Sequence, residues 1–513
     1  MRWKVVLQKR IRKICEKTCL YRFSLIGKEE LSLADLFTDP WPAQIALDID
    51  QFKMLLSHRR GSLWNVPYFA SFEWIRDLKT SQDVTIRAHI RDIILFWVHT
   101  NQRFFAPSWS DFSWRADIVG LRLWNTLALF DFYGTSGSEV FKQTLVKSVT
   151  QQFKQLLRIW DDSSDPLIQF KAIKGIIGFL CAAKKSSAHR LEYWRDVLAH
   201  VVEQQILPDG GHISRNPTIL LLFLRDLIDI RAILSKHNIE SHILSRFINQ
   251  IAPVVRLFRH GDGRLARFIG NVPEDEAQFL PDRINISFID MCLSLADSGR
   301  RPPTCADDMG YIRCVNQSGV FLFSAKPEIG LKQDHFCTNL FNFEWSYDRQ
   351  MVIEKCEMLL DLPEFDGLSA DRSVKVVRHM EDEYTFMNAE CKTGALSLNR
   401  KIYMSGQETN IRGEDIITGH QNGMFALRFV LSPDIEVLPD SKTTKSVILK
   451  LSASNVKAAK KLARITTLQF VVNGCYDLTY QKPEPGQQHA LILLSTLEPK
   501  KTMHCKWAFI LNG

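Results

Sequence analysis

The apolar positions of the chain follow two different periods, one in each part. From Asp83 onward, apolar side chains recur three and four residues apart, and short polar breaks separate the segments. This pattern predicts helices near 84–99, 115–132, 138–160, 165–183, 187–206, 217–236, 240–258 and 286–297. Antiparallel helices of this length form helical hairpin arrays, either open solenoids or closed toroids. No strict sequence period links the hairpins, which disfavours a consensus solenoid.

The period becomes two after the linker signal Arg300-Arg-Pro-Pro. Segments such as Gly319-Val-Phe-Leu-Phe-Ser and Leu468-Gln-Phe-Val-Val are typical of short strands between turns, and together they indicate a β-sandwich. The predicted fold class is therefore α+β multidomain. We expect an incomplete α/α toroid over residues 1–298 and an antiparallel β-sandwich over residues 305–513.

One stretch carries unusually dense local signals. Pro208-Asp-Gly-Gly predicts a tight turn, because its two glycines supply positive φ angles. Asn216 then fits a helix N-cap, and Pro217 fits the first helical position of an apolar, buried helix. For His212 and Arg215, between the turn and the helix, two interpretations stay open. They either hydrogen-bond a buried loop or line a cleft, where a helix N-terminus beside a cation would suit an anionic ligand.

Composition limits the functional classes. The 513 residues are 45% apolar and 24% charged, as in ordinary globular proteins, and the net charge of +8 permits an acidic polymer as partner without requiring one. Eleven cysteines without metal-ligand spacing indicate reduced thiols, and no metal site is predicted. Basic residues are not concentrated with aromatic ones outside the N-terminal segment, which argues against nucleic-acid binding.

The N-terminal residues 1–28 carry nine Lys or Arg against one acidic residue. They lack the apolar core of a signal peptide, and no stretch approaches 18 uncharged apolar residues. We therefore expect no transmembrane segment and a cytoplasmic location, with the periplasm or cell envelope as the alternative.

Several motifs resemble the heparinase II/III-like family, polysaccharide lyases built from an α/α toroid and a β-sandwich. The most specific is Ile206-Leu-Pro-Asp-Gly-Gly-His-Ile-Ser-Arg-Asn-Pro. Others are Arg122-Leu-Trp-Asn125, Phe258-Arg-His-Gly-Asp-Gly, the segment around His335, Ile411-Arg-Gly-Glu-Asp, Phe425-Ala-Leu-Arg-Phe and Lys506-Trp-Ala. The resemblance implies β-elimination on uronic-acid polymers, in which a base removes the proton α to the sugar carboxylate and the glycosidic oxygen leaves.

The resemblance also implies residue roles. Asn125 would neutralise the sugar carboxylate, and His335 would assist from the sandwich. With His212, these form the candidate catalytic set. The candidate substrate-binding residues are Arg215, Asn216, His260 and Asp262. The alternatives are a helix-surface amide for Asn125 and a structural role for His335. We expect Asn125, His212, Arg215 and His335 to converge on one cleft.

Two departures leave the activity open. Active relatives carry a Tyr-His pair where this chain has Ile219 and Leu220, side chains that cannot transfer a proton. Their His-Ser/Asn-Thr stretch has no counterpart between residues 360 and 377. The hypotheses are thus a lyase with a displaced acid, for which Tyr133 and Tyr311 are candidates, a catalytically degenerate protein that binds an acidic polysaccharide or oligosaccharide, and a structural scaffold. No cofactor can be assigned.

Overall fold

In the computed structural model the secondary structure follows the order that the two periods predict. The structure describes residues 31, 33, 36–44, 63–79, 81, 85–101, 112–184, 188–268, 284–296, 299–316, 319–326, 341–361, 373–381, 384–392, 396–406, 410–419, 422–451, 466–474, 477–482 and 489–512.

Helices occupy the first part of the described chain. The longer ones are Ile86–Asn101, Ala116–Ala128, Glu139–Ile159, Pro166–Ala182, Ala188–Glu203, Pro217–Lys236, His242–Leu257 and Ile286–Ala296. Single-turn helices are Pro67–Ala70, Trp74–Asp77 and Phe130–Tyr133, with 3-10 turns at Leu63–Asn65 and Phe112–Trp114. The predicted helices are confirmed, with boundaries that differ by a few residues.

Local capping explains where three of these helices begin. Ser138 accepts a hydrogen bond from the backbone N–H of Phe141, and Asp165 accepts one from Leu167. Asn216 Oδ1 accepts from the N–H groups of Thr218 and Ile219 at 2.8 and 3.2 Å, which confirms the predicted N-cap. Each cap satisfies backbone donors that the first helical turn leaves without a partner.

Two glycines bring a pair of helices into close contact. A Cβ added at Gly120 would lie 2.3 Å from the carbonyl oxygen of Lys171, and one added at Gly175 would lie 2.4 Å from the carbonyl oxygen of Gly120. The helices Ala116–Ala128 and Pro166–Ala182 therefore touch backbone to backbone, which only glycine allows.

Strands fill the second part. They are β1 Cys305–Ala306, β2 Tyr311–Val315, β3 Gly319–Ser324, β4 Phe343–Tyr347, β5 Gln350–Asp361, β6 Ser373–Met380, β7 Tyr384–Lys392, β8 Leu396–Ser405, β9 Ile411–Gly419, β10 Gly423–Leu431, β11 Ile435–Pro439, β12 Ser446–Leu451, β13 Thr466–Asn473, β14 Asp477–Gln481, β15 Ala490–Leu497 and β16 Thr502–Asn512. One antiparallel sheet has the order β1-β2-β3-β4-β5-β10-β15-β14, and the other has β11-β12-β13-β16-β9-β8-β7-β6.

The two sheets share one apolar core, as in a sandwich. Phe343 of the first sheet stacks on Trp507 of the second at 5.4 Å, and Phe429 meets Phe470 at 5.2 Å. Helices followed by two packed antiparallel sheets confirm the predicted fold class.

The described elements belong to two compact units that are discontinuous in sequence. The helical unit comprises Met1–Ile206, Leu221–Ala252 and Pro273–Ser298. The sandwich unit comprises Leu207–Leu220, Pro253–Val272 and Gly299–Gly513. The sequence suggests two continuous domains, whereas here the loop of His212 and Arg215 and the segment of His260 belong to the sandwich unit.

Candidate functional site

Asn125 lies inside the helical unit, on the helix Ala116–Ala128. Its side chain is only 2% exposed, which excludes the helix-surface alternative. Its Oδ1 accepts a hydrogen bond from Arg76 Nη2 at 3.2 Å, and its Nδ2 donates to the carbonyl oxygen of Ser71 at 2.9 Å. Both ends of the amide are therefore held by protein partners.

Arg76 joins Asn125 to a buried ion pair. Its Nε and Nη2 donate to Oδ2 of Asp39 at 2.9 and 2.7 Å, and both side chains are 1% exposed. Lys79 adds a second cation, 3.4 Å from Asp39 Oδ1. Burial alone would raise the pKa of Asp39, but the attraction of Arg76 and Lys79 outweighs it and lowers that pKa. Asp39 is thus held ionised.

A second buried ion cluster centres on Lys174. Its Nζ lies 2.5 Å from Asp226 Oδ1 and 2.7 Å from Asp229 Oδ2. Asp229 also accepts from the indole N–H of Trp41 at 2.7 Å. The ammonium lies 4.4 Å from the ring centroid of Trp124, the tryptophan of the Arg-Leu-Trp-Asn motif. These partners compensate the desolvation of a buried lysine.

Arg225 extends this ion cluster towards the surface. Its Nη2 lies 2.6 Å from Asp226 Oδ1 and 3.8 Å from Glu73 Oε1, a loose contact. Glu73 has 19% of its side chain exposed, whereas the other carboxylates described so far are nearly inaccessible. Together these residues form what we call the charged cluster: Asp39, Glu73, Arg76, Lys79, Asn125, Lys174, Arg225, Asp226 and Asp229.

Two donors of the charged cluster lack a partner within the described part of the chain. They are the Nη1 atoms of Arg76 and Arg225, both buried. A buried cationic donor without a hydrogen bond is costly and rare in folded proteins. An acceptor oxygen that reaches either nitrogen would therefore be stabilised. Neither arginine is among the candidates that the sequence predicts, although Arg225 interrupts an otherwise apolar run.

Arg122, of the same motif as Asn125, has a structural role. Its Nη1 donates to the carbonyl oxygens of Ala70 and Ser113 at 2.8 and 2.9 Å, and its Nε donates to Gln152 at 2.7 Å. The guanidinium carbon lies 4.0 Å from the ring centroid of Trp97, and burial lowers the pKa of Arg122. This residue fixes the loops around the helix that carries Asn125.

In the sandwich unit, the Pro-Asp-Gly-Gly-His motif forms a clasp. Asp209 Oδ1 accepts from the N–H of Gly211, and Asp209 Oδ2 accepts from the N–H of Met309, both at 2.8 Å. A Cβ added at Gly211 would lie 2.8 Å from the side chain of Met309. The aspartate and the glycine of the motif thus hold the turn against the segment before β2.

Arg215 completes this clasp. Its Nε donates to the carbonyl oxygen of Met309 at 2.6 Å, and its Nη2 donates to that of Lys326 at 2.9 Å. Its own carbonyl accepts from the hydroxyl of Tyr311 at 2.8 Å, and its φ is 57°. These contacts hold Arg215, which is 4% exposed, in a left-handed conformation that non-glycine residues seldom adopt.

His212 is buried beside this clasp. Its Nδ1 accepts from the backbone N–H of Ser214 at 3.0 Å and lies 2.8 Å from the Ser214 hydroxyl. With the N-cap at Asn216, these bonds match the first interpretation of the stretch, in which its polar side chains hydrogen-bond a buried loop.

His260 and Asp262 lie in the same unit. His260 Nε2 lies 3.0 Å from Glu344 Oε2, and its Nδ1 lies 3.1 Å from the hydroxyl of Ser346. Asp262 Oδ1 accepts from the backbone N–H of Arg264 at 2.9 Å. His260 therefore ties the loop at 259–268 to β4, whereas Asp262 stabilises the turn within that loop.

The two tyrosines considered as displaced acids are engaged in buried hydrogen bonds. The Tyr133 hydroxyl donates to the carbonyl oxygen of Thr126 at 2.9 Å, and burial raises the pKa of Tyr133. The Tyr311 hydroxyl donates to Arg215, and its side chain is 1% exposed. Neither hydroxyl has the exposure or the free proton that a general acid needs.

The expected convergence of four residues stays a prediction. Asn125 belongs to the helical unit, whereas His212 and Arg215 belong to the sandwich unit. His335 lies outside the described residues. Within each unit, the structure brings Asn125 to Arg76 and brings His212 to Arg215.

Two features are absent from the described residues. No group of three or more His, Cys, Asp or Glu among them could hold a metal ion. Over the same residues, no helix is long and apolar enough to cross a bilayer.

Solved structures resemble this chain over most of its length. Heparinase III superposes with a TM-score of 0.59 at 12% sequence identity, over 86% of this chain and 76% of its own. A heparan sulfate lyase mutant from Pedobacter heparinus gives a TM-score of 0.51 at 12% identity, over 96% of this chain and 87% of its own. The chain has the heparinase-like polysaccharide lyase fold. At these identities the likeness establishes the fold alone.

One curated protein that matches this chain in sequence is not named as a lyase. FtsZ-localized protein C from Caulobacter vibrioides is 24% identical over 332 residues, which cover 64% of this chain. The match spans 54% of that protein's length, little more than half of it. No family model matches the chain.

Proposed function

We propose that this protein binds an anionic, uronic-acid-containing polysaccharide through the charged cluster of its helical unit, without cleaving it. The observation that carries the proposal is the pair of buried Nη1 atoms of Arg76 and Arg225, for which the described residues supply no acceptor. A carboxylate is the acceptor that suits a guanidinium best, because its two oxygens match the planar N–H donors.

An exchange of carboxylates lets the ligand enter without adding net charge to the interior. Glu73 is the partly exposed carboxylate of the charged cluster and contacts Arg225 at 3.8 Å. When a sugar carboxylate takes its place at Arg225, Glu73 moves into water, and the number of buried negative charges stays constant. The ligand carboxylate thereby avoids the large desolvation cost of adding an unpaired ion.

The arginines take the neutralising role that the resemblance suggests for Asn125. That amide already donates to Ser71 and accepts from Arg76. We assign it to positioning: it orients Arg76 beside the entering carboxylate. We expect no cleavage of the polymer, because the hydroxyl groups of Tyr133 and Tyr311 already donate their hydrogen bonds to backbone carbonyls.

The test is calorimetry with oligogalacturonate, with a neutral oligosaccharide of similar length as the reference ligand. Wild type should bind the uronate oligomer, and the affinity should fall as salt rises. Glu73→Gln removes the competing carboxylate and should strengthen binding about two- to fivefold, the range expected for a partly exposed ion pair. Arg225→Lys keeps the charge that Asp226 needs but loses the planar fork, and it should weaken binding.

Glu139→Gln is the matched control, since Glu139 is 78% exposed and pairs with Lys142 at 3.1 Å in the same unit. It should bind like wild type. Equal affinities for wild type, Glu73→Gln and Arg225→Lys would refute the assignment. In parallel, ultraviolet absorbance with a panel of uronate polymers reports the unsaturated product of β-elimination. Its appearance would favour the lyase alternative, which the fold supports.

A further inference from the structure

A second feature of the helical unit lies outside the charged cluster. A groove of about 670 Å³ opens where the helix Glu139–Ile159 ends, between the start of Pro166–Ala182 and the helix Ala188–Glu203. The residues that give it chemical character are Trp160, Gln169, Tyr193, Asp196, His200 and Gln204. None of them takes part in the charged cluster or matches a motif of the resemblance.

Two aromatic rings of the groove are held by a third that is buried. Trp194, 7% exposed, meets Trp160 edge-on at 5.3 Å and 85°, and it meets Tyr193 at 5.4 Å and 80°. Tyr193 is 56% exposed, which leaves its ring accessible to a ligand. The packing on Trp194 restricts both rings before any ligand arrives, which lowers the entropy lost on binding.

The polar side chains of the groove are held by hydrogen bonds to residues nearby in the sequence. Gln204 Nε2 lies 3.0 Å from His200 Nε2, within hydrogen-bond distance. Gln169 Nε2 donates to the carbonyl oxygen of Ser163 at 2.8 Å and thereby keeps its amide fixed. The side-chain oxygens of both glutamines can then accept hydrogen bonds from a ligand.

Charge separates this groove from the charged cluster. None of its described lining residues is a lysine or arginine, and its carboxylate, Asp196, lies 2.8 Å from Arg195. A uronate would therefore find no cation on the lining to pair with. A neutral pyranose fits better, because its apolar C–H face can lie on an aromatic ring while its hydroxyls both donate and accept.

We propose that this groove is a binding subsite for neutral hexopyranose units of an oligosaccharide. Tyr193 supplies the stacking surface, with Trp160 beside it, and His200, Gln169 and Gln204 bind the ring hydroxyls. The subsite goes beyond the uronate binding proposed above and does not depend on it.

The experiment is a titration of the whole chain followed by tryptophan fluorescence and saturation-transfer NMR. The probes are cellohexaose, maltohexaose and the hexamer of N-acetylglucosamine, with oligogalacturonate for comparison. At least one neutral probe should bind, and its affinity should not change with salt, since no ion pair forms. Tyr193→Ala should weaken that binding about tenfold, because it removes the apolar ring face on which the sugar would lie. Tyr193→Phe should keep most of it.

Gln204→Ala, at an exposed turn position just after the helix Ala188–Glu203, is a second variant and should weaken binding severalfold by removing a hydrogen-bonding group. Phe96→Ala is the control, because Phe96 is also a large exposed ring of the helical unit, 43% exposed, and should bind like wild type. The subsite is disproved if no neutral probe binds wild type, or if Tyr193→Ala and Gln204→Ala both bind as wild type does. If Arg225→Lys no longer binds oligogalacturonate but still binds the neutral oligosaccharide, the result supports uronate binding at the charged cluster and shows that the subsite acts independently of it.

Discussion

Individual residues of the Pro-Asp-Gly-Gly-His motif and of the loop that follows it stabilise the local structure. Arg215 has a positive φ of 57° and receives the hydroxyl of Tyr311 on its carbonyl. Such a conformation persists only where surrounding contacts compensate its cost. The histidine and arginine of this loop were candidates for ligand binding, and their observed partners belong to the loop itself and to the segments at 309–311 and 326.

At this scale we predict that Tyr311→Phe destabilises the sandwich unit by about 1–3 kcal/mol, because it leaves a buried carbonyl without its donor. Urea unfolding would measure the change. The control is Tyr480→Phe, whose hydroxyl lies 3.2 Å from His489 Nδ1 at a half-buried position. That substitution should change the free energy of unfolding by no more than about 0.5 kcal/mol. Equal changes in the free energy of unfolding for the two substitutions would show that the Tyr311 hydrogen bond does not stabilise the sandwich unit.

Among the elements, the helix Pro217–Lys236 combines a local start signal with deep burial. Leu224 is fully buried and Leu222 is half-buried on this helix. Leu224→Ala should cost about 2–5 kcal/mol, as expected for the transfer and cavity terms of a buried leucine. Leu222→Ala is the matched comparison and should cost clearly less. A thermal melt followed by circular dichroism checks both, and an unchanged melt for Leu224→Ala would contradict the burial argument.

Across the whole molecule, buried carboxylates make stability depend on pH. For Asp39 and Asp226, burial alone would raise the pKa, but their cationic neighbours, Arg76 and Arg225 foremost, outweigh it and lower the pKa of both. A carboxyl with a lowered folded-state pKa stabilises the fold fully above its unfolded pKa, and this contribution is lost as pH falls through the folded value. We therefore expect a constant urea midpoint from neutral pH to about pH 5, and a decrease below about pH 4.

Asp39→Asn should lower the midpoint at neutral pH and make the acid decrease shallower, since it removes one of the titrating groups. Asp131→Asn, at an exposed aspartate of the same unit, provides the comparison and should follow the wild-type curve. The same acid slope in Asp39→Asn and wild type would rule out Asp39 as a source of the pH dependence.

The elements and their order follow from local signals in the sequence. Helical periodicity, the cap at Asn216 and the change of period near residue 300 are local properties, so they can be read from neighbouring residues. The resemblance of motifs spread along the chain then pointed to the lyase fold.

Which polar groups contact each other depends on the folded chain. Asn125 and Arg76 are 49 residues apart, and Lys174 lies 52 and 55 residues from its two aspartates. No local pattern encodes such pairs, because their partners are set by how helices pack. The same holds for the groove around Tyr193 and for the assignment of the His212 loop to the sandwich unit. The chemistry of a buried charge depends on its distant neighbours, and those are fixed only when the chain has folded.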